Sequence, residues 1–577
     1  MKRFLAVSAA FVAALALAVG LFYAFLPREA LQTRLGEILA SWTGRDVTMR
    51  GEPRVELLPR VTVTLYDVTI GGPPDMEDAD LIHMDWLRGT IRLLPLLIGR
   101  VEIESFKIRR PVLMLVRDGT ERNWHLDSGA AALQLAFAGD VPLGEFEVEE
   151  GTIVYEDRTG GQQETLDNVR LELDWQSIRT PIALTGSAVW RGETLGHHAR
   201  AEAPFDFLND KPTPFSATLE SRPLSAVLTG SVAELENPGF TGELDMTVPS
   251  IGALAEWFGA TAGPGAYFGE ATLSGAATLT GAGLAMEGAQ LGFGSGTANG
   301  ALQVTFGKRP RVAGTLAFDQ IDLTKQLEGM AALWQSRDAD WRTIPVNTAW
   351  LRGLDADLRI SAETVRIGSG ELRDTAATLS LAAARLEVGL AHAGLEGGGL
   401  AGTVSLSDFR DAETSATEVA VRATEFQIAA MAAALGLPVI TSGSASLVTD
   451  LSSSGRTFGA LAANLVGSAG LTVLEGTIRD PGFSAIAAGT NPAGNGGRPT
   501  VPFDRLEARI AFTDGAAMLE SSVLRTPQFS AEMTGRMALA DGTLGLSGIV
   551  ETAHAPRTFL IGGTISAPQV IPAAASQ

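Results

Sequence analysis

Histidines at 83, 125, 197, 198, 392 and 554 are the first residues to examine for chemistry, because imidazole is both a proton carrier and a common metal ligand. Only His197 and His198 are close in sequence. Neighbouring residues on a strand point to opposite faces, so these two cannot readily grip one ion, and a polar turn after Gly196 is their expected setting. Cysteine is absent from the sequence, which removes disulfides, thiolate metal sites and thiol nucleophiles. The sequence also lacks a G-x-S-x-G elbow, a G-x-x-x-x-G-K-[ST] phosphate loop and an H-E-x-x-H zinc helix. Paired acids such as Glu149-Glu150, or Asp338 with Asp340, have the spacing of a general acid/base couple. A chain with 66 acidic residues produces such pairs by chance, however, and a solvated outer face accounts for them. Gly281-Ala282-Gly283-Leu284 lies between strand-like runs and reads as a hairpin turn, since a dinucleotide fingerprint needs a βαβ unit. Asp118-Gly119 and Asp541-Gly542 read as turns, because the further acids of a calcium loop are missing around them. The chain is therefore read as non-enzymatic, with no catalytic residue, metal site or cofactor assigned.

The elements that would have to position any functional group are strands. In Asn168-Val169-Arg170-Leu171-Glu172-Leu173-Asp174-Trp175, the residues Val169, Leu171, Leu173 and Trp175 share one face and the charged residues share the other. The same alternation returns over 354–360, 386–390 and 506–510, at intervals of roughly 8 to 15 residues, the rhythm of antiparallel strands joined by short turns. Helix-forming composition breaks this rhythm over 250–258, 323–334 and 426–435. Sixty-five glycines and abundant alanine would let a long sheet bend and leave room on its apolar side. The expected fold is mainly β: an N-terminal transmembrane helix, then a long, curved, mostly antiparallel sheet forming an open hydrophobic groove, with a few short inserted or capping helices. Val169, Leu171, Leu173 and Trp175 are the candidate groove lining. Nine tryptophans, isolated from one another, read mostly as core packing or caps over sheet ends, with lipid-contacting belts as the alternative.

An uncharged apolar run covers residues 4–26 behind Lys2-Arg3, long enough to cross a hydrocarbon core of about 30 Å. Phe4, Leu15, Leu21 and Leu26 mark this anchor. Ala14-Leu15-Ala16 and Ala16-Leu17-Ala18 offer signal-peptide cleavage patterns, but the run continues well past them, which favours retention. Lys2 and Arg3 place the N-terminus in the cytoplasm and the bulk of the chain beyond the membrane. Residues 27–43 read as an amphipathic helix, either lying on the membrane or plugging the end of the first sheet. The formal charge of −22 argues against nucleic acid as a partner, because phosphate binding needs clustered Lys and Arg.

The turn Gly44-Arg45, Gly51, Pro59, Asp67-Val68, Leu94-Pro95-Leu96-Leu97, Arg110-Pro111 and the close Asp118-Gly119…Asn123-Trp124 follow the membrane segment in the order seen in the AsmA family of Gram-negative envelope proteins. Residues 1–125 resemble the N-terminal region of that family. The succession 426–478, from Leu435-Gly436-Leu437-Pro438 through Gly455-Arg456-Thr457-Phe458 to Glu475-Gly476-Thr477-Ile478, is similar to its C-terminal region, in which a helix leads into a strand, a turn, a short helix and another strand. The terminal 562–568 stretch resembles that region's last strand. The implied layout is an anchor over 1–26, an AsmA-like N-terminal region over 27–160, a central β-groove over 161–419 and an AsmA-like C-terminal region over 420–577.

The resemblance implies a protein anchored in the inner (plasma) membrane with its bulk in the periplasm. Such a protein would conduct phospholipids by their acyl chains along a β-groove toward the outer membrane, with an outer-membrane or periplasmic protein as the distal partner. The alternative it leaves open is a scaffold or regulator of outer-membrane protein assembly or of protein targeting. A transmembrane β-barrel shares the alternating pattern but fits poorly with a retained helix. A lipid hydrolase lacks a visible nucleophile constellation.

Overall fold

The computed structural model describes residues 45–573 apart from 57–59, 74–75, 77–79, 93–102, 120, 125–143, 176, 178, 235–236, 261–268, 325–340, 369, 409–415, 435–439, 491–499, 554 and 565–566, together with Glu37 and Ala40. The anchor residues Phe4, Leu15, Leu21 and Leu26 lie outside the described residues, as do most of the 27–43 and 323–334 helices. Among the described residues no helix is long and apolar enough to cross a membrane. What they form is mainly β, a mixed but mostly antiparallel sheet fold of 31 strands with a few short helices. The chain divides into two compact units, Met1–Met246 and Thr247–Gln577.

In the first unit, β1 (Val47–Met49) and β2 (Arg54–Glu56) both pair with β3 (Val61–Ile70), which pairs with β4 (Ile82–Ile91). β4 in turn pairs with β5 (Ile103–Arg109) and with the start of β6 (Val112–Asp118), on which β7 (Glu121–Arg122) folds back. Asp118-Gly119 is the turn expected there, and Gly119 adopts φ 60°, a conformation glycine enters freely. β8 (Glu145–Asp157) lies parallel to both β5 and β6. From it a regular antiparallel meander continues through β9 (Gln162–Asp174), β10 (Ile182–Trp190), β11 (Glu193–Ala201), β12 (Thr213–Glu220) and β13 (Ser225–Ala233). β14 (Gly239–Val248) comes next. The tightest packing belongs to β3 and β4, where Val61, Val63, Leu65, Val68, Leu87 and Ile91 are all buried with Phe106 of β5.

The second unit repeats the meander through β15 (Ala271–Thr280), β16 (Gly283–Phe293), β17 (Gly296–Thr305), β18 (Arg311–Asp322), β19 (Asp355–Ile367), β20 (Gly370–Ala382), β21 (Arg385–Leu395) and β22 (Gly398–Ser407). It goes on through β23 (Thr417–Gln427), β24 (Ile440–Ser453), β25 (Val466–Arg479), β26 (Thr500–Thr513), β27 (Ala516–Arg525), β28 (Ser530–Ala538), β29 (Leu544–Glu551), β30 (Arg557–Thr564) and β31 (Ala567–Pro572). β18 and β19 run parallel, whereas the neighbouring pairs are antiparallel. Gly281-Ala282 turns β15 into β16, as its flanking patterns indicate.

The sequence readings of the short helices over 250–258 and 426–435 hold. Ser250 caps Ile251–Trp257 by accepting from the Ala253 N–H at 3.2 Å, and Ile428–Ala434 follows β23 directly. The order expected near the C-terminus is also present: that helix, then β24, a turn, the helix Phe458–Ala463 capped by Thr457, and β25. Phe483–Ala488 adds a further helix, whose first-turn N–H groups at Gly482, Phe483 and Ser484 are all accepted by the buried Asp480 carboxylate. Two readings need correction. His197 and His198 occupy the middle of β11 and form no turn, because β11 pairs without interruption on both sides, with Gly186 and Thr185 on one and Leu219 and Thr218 on the other. The 562–568 stretch holds the end of one strand and the start of another, with Gly563 of β30 paired antiparallel to Pro568 of β31.

Several strands are interrupted by a bulge. Glu150, Asn168, Asp374, Glu425 and Glu475 take φ near +50° inside β8, β9, β20, β23 and β25, where left-handed backbone inserts an extra residue and tilts the strand. In β20 to β22, and again in β23 to β25, the irregularities fall on neighbouring strands, a repeated local bend and not isolated defects.

Candidate functional site

Residues directly opposite each other in a ladder share a face, so the register determines what each side of the sheet presents. On one side of β8 to β10, Phe146 pairs with Leu173 and Leu173 with Leu184, while Val148 pairs with Leu171 and Leu171 with Gly186. The expected alternation in β9 is obeyed: Val169 is buried and Leu171 and Leu173 are half-buried, whereas Arg170, Glu172 and Asp174 are exposed. Trp175 continues the series one residue past the strand, half-buried, with its backbone N–H directed to the Gly144 carbonyl at 3.3 Å.

Val169 and Leu171 line a cavity of about 250 Å³ within the first unit. Its other walls come from β3 to β6 and β8, through residues such as Ile70, Met84, Phe106, Leu113, Phe146 and Ile153. Nearly every lining group is hydrocarbon, with Thr152 as the polar exception. Phe106 and Phe146 stack at 5.2 Å between ring centroids and form one wall. Leu173 lies on the same sheet face outside the cavity lining, and Trp175, past the end of β9, is outside it too. Sequence reading missed the walls from β3 to β6, because their closeness to β9 depends on β8 lying parallel to β5 and β6, and strand periodicity carries no signal for that pairing.

A model of the AsmA family matches residues 1–236 and 216–521. The chain belongs to the AsmA family. No curated protein matches it at a significant level. AsmA proteins are generally non-enzymatic and are associated with envelope and outer-membrane assembly.

The second unit of this AsmA protein carries an apolar face of the same construction. One row of paired residues passes from Leu358 through Leu379, Val388, Val404 and Val419 to Leu451. A parallel row passes from Ile510 through Leu519 to Gly535, Leu546, Ile561 and Val570. The opposite face of β23 presents Glu418 and Arg422, both exposed. Helices Ile428–Ala434 and Phe483–Ala488 pack against part of the apolar side, where Phe426, Val473, Phe483 and Phe559 belong to one buried cluster. Along β19 to β23, Leu358, Ile360, Val388 and Val419 stay half-buried and Val404 is 41% exposed.

Charges are kept off the cavity lining and off the apolar rows just traced. Lys107, on the far side of β5 from Phe106, bridges Glu149 at 2.6 Å and Glu147 at 3.0 Å. Its ammonium is held above its ordinary value chiefly by the Glu149 contact, and Glu149 is held below the usual carboxylate range by the same bond. His197 is the exception. In β11 it pairs with Gly186 and Leu219, both on the apolar side, and burial lowers the pKa of its imidazole, so it stays neutral there. A side chain at Gly186 would collide first with the Arg170 backbone carbonyl of β9 and then with the His197 ring, at 2.8 Å from Nε2, so glycine there accommodates both the neighbouring strand and the imidazole. His198 points the other way and shares a 2.9 Å hydrogen bond with Thr185. The pair therefore cannot chelate one ion, and among the described residues no cluster of three or more His, Asp or Glu side chains could hold a metal.

Proposed function

We propose that this protein, anchored in the inner membrane of a Gram-negative bacterium, binds phospholipids by their acyl chains in the periplasm and conducts them along its apolar sheet faces toward the outer membrane. The observation that carries this reading is the ladder register, which across β19 to β23 sets apolar residues side by side while the charges beside them fall on the reverse side. An apolar surface of this extent in water favours association, and a flexible hydrocarbon chain is a fitting occupant. The cavity of about 250 Å³ has room for roughly eight methylenes if each takes the ~30 Å³ of a water molecule. At ~0.8 kcal/mol for each buried methylene, that is about 6 kcal/mol of gross transfer energy without any polar recognition. Because the same apolar types recur strand after strand, successive positions along a row bind hydrocarbon with similar strength, which is what sliding requires. Charged headgroups remain in water and avoid the cost of burial.

The test is native mass spectrometry of the full chain purified from membranes. Phospholipid is expected to stay bound after detergent exchange. A folded chain that carries none refutes the reading.

A further inference from the structure

The apolar face of the first unit ends in a built rim. Ile153 and Leu113, which pair and line the cavity, are followed two residues on by the pair Tyr155 and Leu115 on the same side. Tyr155 pairs across with Glu164, Leu166 with Trp190, and Trp190 with Glu193. Tyr155, Glu164, Trp190 and Glu193 therefore stand together on the apolar side, beside the turns at 158–161 and 191–192. Trp124 packs on Tyr155 at 6.0 Å between ring centroids. Two arginines reach in, Arg191 from the turn at 191–192 and Arg222 from the connection between β12 and β13. Arg191 lies over the Trp190 ring at 4.9 Å and donates from Nε to Glu164 at 3.1 Å, and Trp190 Nε1 donates to the same carboxylate at 2.9 Å. Arg222 donates from Nε to Glu193 at 2.8 Å while its side chain stays 83% exposed.

From this juxtaposition we infer that the rim is a headgroup station for zwitterionic phospholipid, a proposal that rests on the reading of the face as an acyl-chain binder. Aromatic residues with polar tips suit a boundary that is oily on one side and wet on the other. Each arginine offers a fork for a phosphate, and the carboxylate beside it offers a partner for the ammonium of the same headgroup. Exposed ion pairs are weak, so exchanging Arg–Glu contacts for Arg–phosphate and Glu–ammonium contacts costs little. An anionic headgroup gains only half of this arrangement and faces Glu164 and Glu193 unshielded, on a chain of net charge −22. The Glu164 carboxyl is held below its usual range, first by Arg191 and also by Trp190, against the opposing effect of burial, so it is ionised when the lipid arrives.

The full chain is incubated with vesicles containing equal amounts of phosphatidylethanolamine, phosphatidylglycerol and diacylglycerol with identical acyl chains, and retained lipid is quantified by mass spectrometry. The wild type is expected to enrich phosphatidylethanolamine over phosphatidylglycerol by roughly threefold, the size of an exposed charge contact. Glu164→Gln with Glu193→Gln should return that ratio to the vesicle's own while total lipid is kept. Arg222→Gln, a change at a largely exposed side chain that folding should tolerate, should lower both phosphate-bearing lipids relative to diacylglycerol. Enrichment absent in the wild type, or unchanged in both variants, overturns the headgroup station and leaves the acyl-chain reading standing. Retention of no lipid of any kind overturns both.

Discussion

Leu171→Asp places a carboxylate in the wall of the first unit's cavity, opposite Val148 on one side and Gly186 on the other. Leu171 is half-buried, so losing its hydrocarbon costs folding about 1 kcal/mol, a fraction of the ~1.5–3 for a fully buried leucine. The effect on hydrocarbon binding is larger. A hydrated carboxylate displaces about three of the roughly eight methylenes that fit, worth about 2 kcal/mol, or close to a thirtyfold loss of affinity. The assay is fluorescence binding of an acyl-chain probe to the full chain, with Leu171→Met as a volume-conserving control and Arg170→Asp as a charge control on the exposed side of β9. Leu171→Met is expected to bind within about twofold of wild type, since such swaps are well tolerated. Equal binding by Leu171→Asp and wild type, with circular dichroism showing both folded, would refute the assignment of this face to hydrocarbon.

Asn123 is fully buried and holds the turn after β6 by accepting from the Val116 N–H at 2.8 Å and donating to the Met114 carbonyl at 2.7 Å. Asn123→Ala strands both backbone groups and should destabilise the first unit by about 2–3 kcal/mol in urea melts, with little change in the second unit's transition. His197 gives a pH dependence of known sign. Its folded pKa is lowered by burial from 6.5, so its contribution to stability is complete above that value and is lost as pH falls through the lower folded value. His197→Gln should therefore flatten the acid limb of the melting profile, and an unchanged limb would place the histidine in water and not on the apolar side.

The strands were legible because a two-residue period survives in sequence wherever one face is hidden and the other wet, as in β9 and in β19, where Leu358 and Ile360 alternate with exposed Asp357, Arg359 and Ser361. Hairpin turns at Gly119 and Gly542 were legible for a local reason, since both adopt positive φ that other residues resist, and the turn at Gly281-Ala282 was legible from the strand patterns on either side of it. The histidine pair was misplaced because Gly196 and two polar residues look like a turn in isolation. Only their partners across the ladder, Gly186 and Leu219, show that β11 runs straight through them.

By itself the sequence determined the fold class, the absence of cysteine chemistry, the apolar side of individual strands and the likeness to the AsmA family, all of which depend on local pattern and order. Tertiary structure decided which strands lie side by side. The parallel contacts of β8 with β5 and β6 bring Ile70 and Phe106 to the same cavity as Val169, and the registers at the turns gather Tyr155, Glu164, Trp190 and Glu193 on one rim. Periodicity tells a strand which face is hidden but carries no information about its neighbour, and long-range pairing is a property of the whole assembled chain.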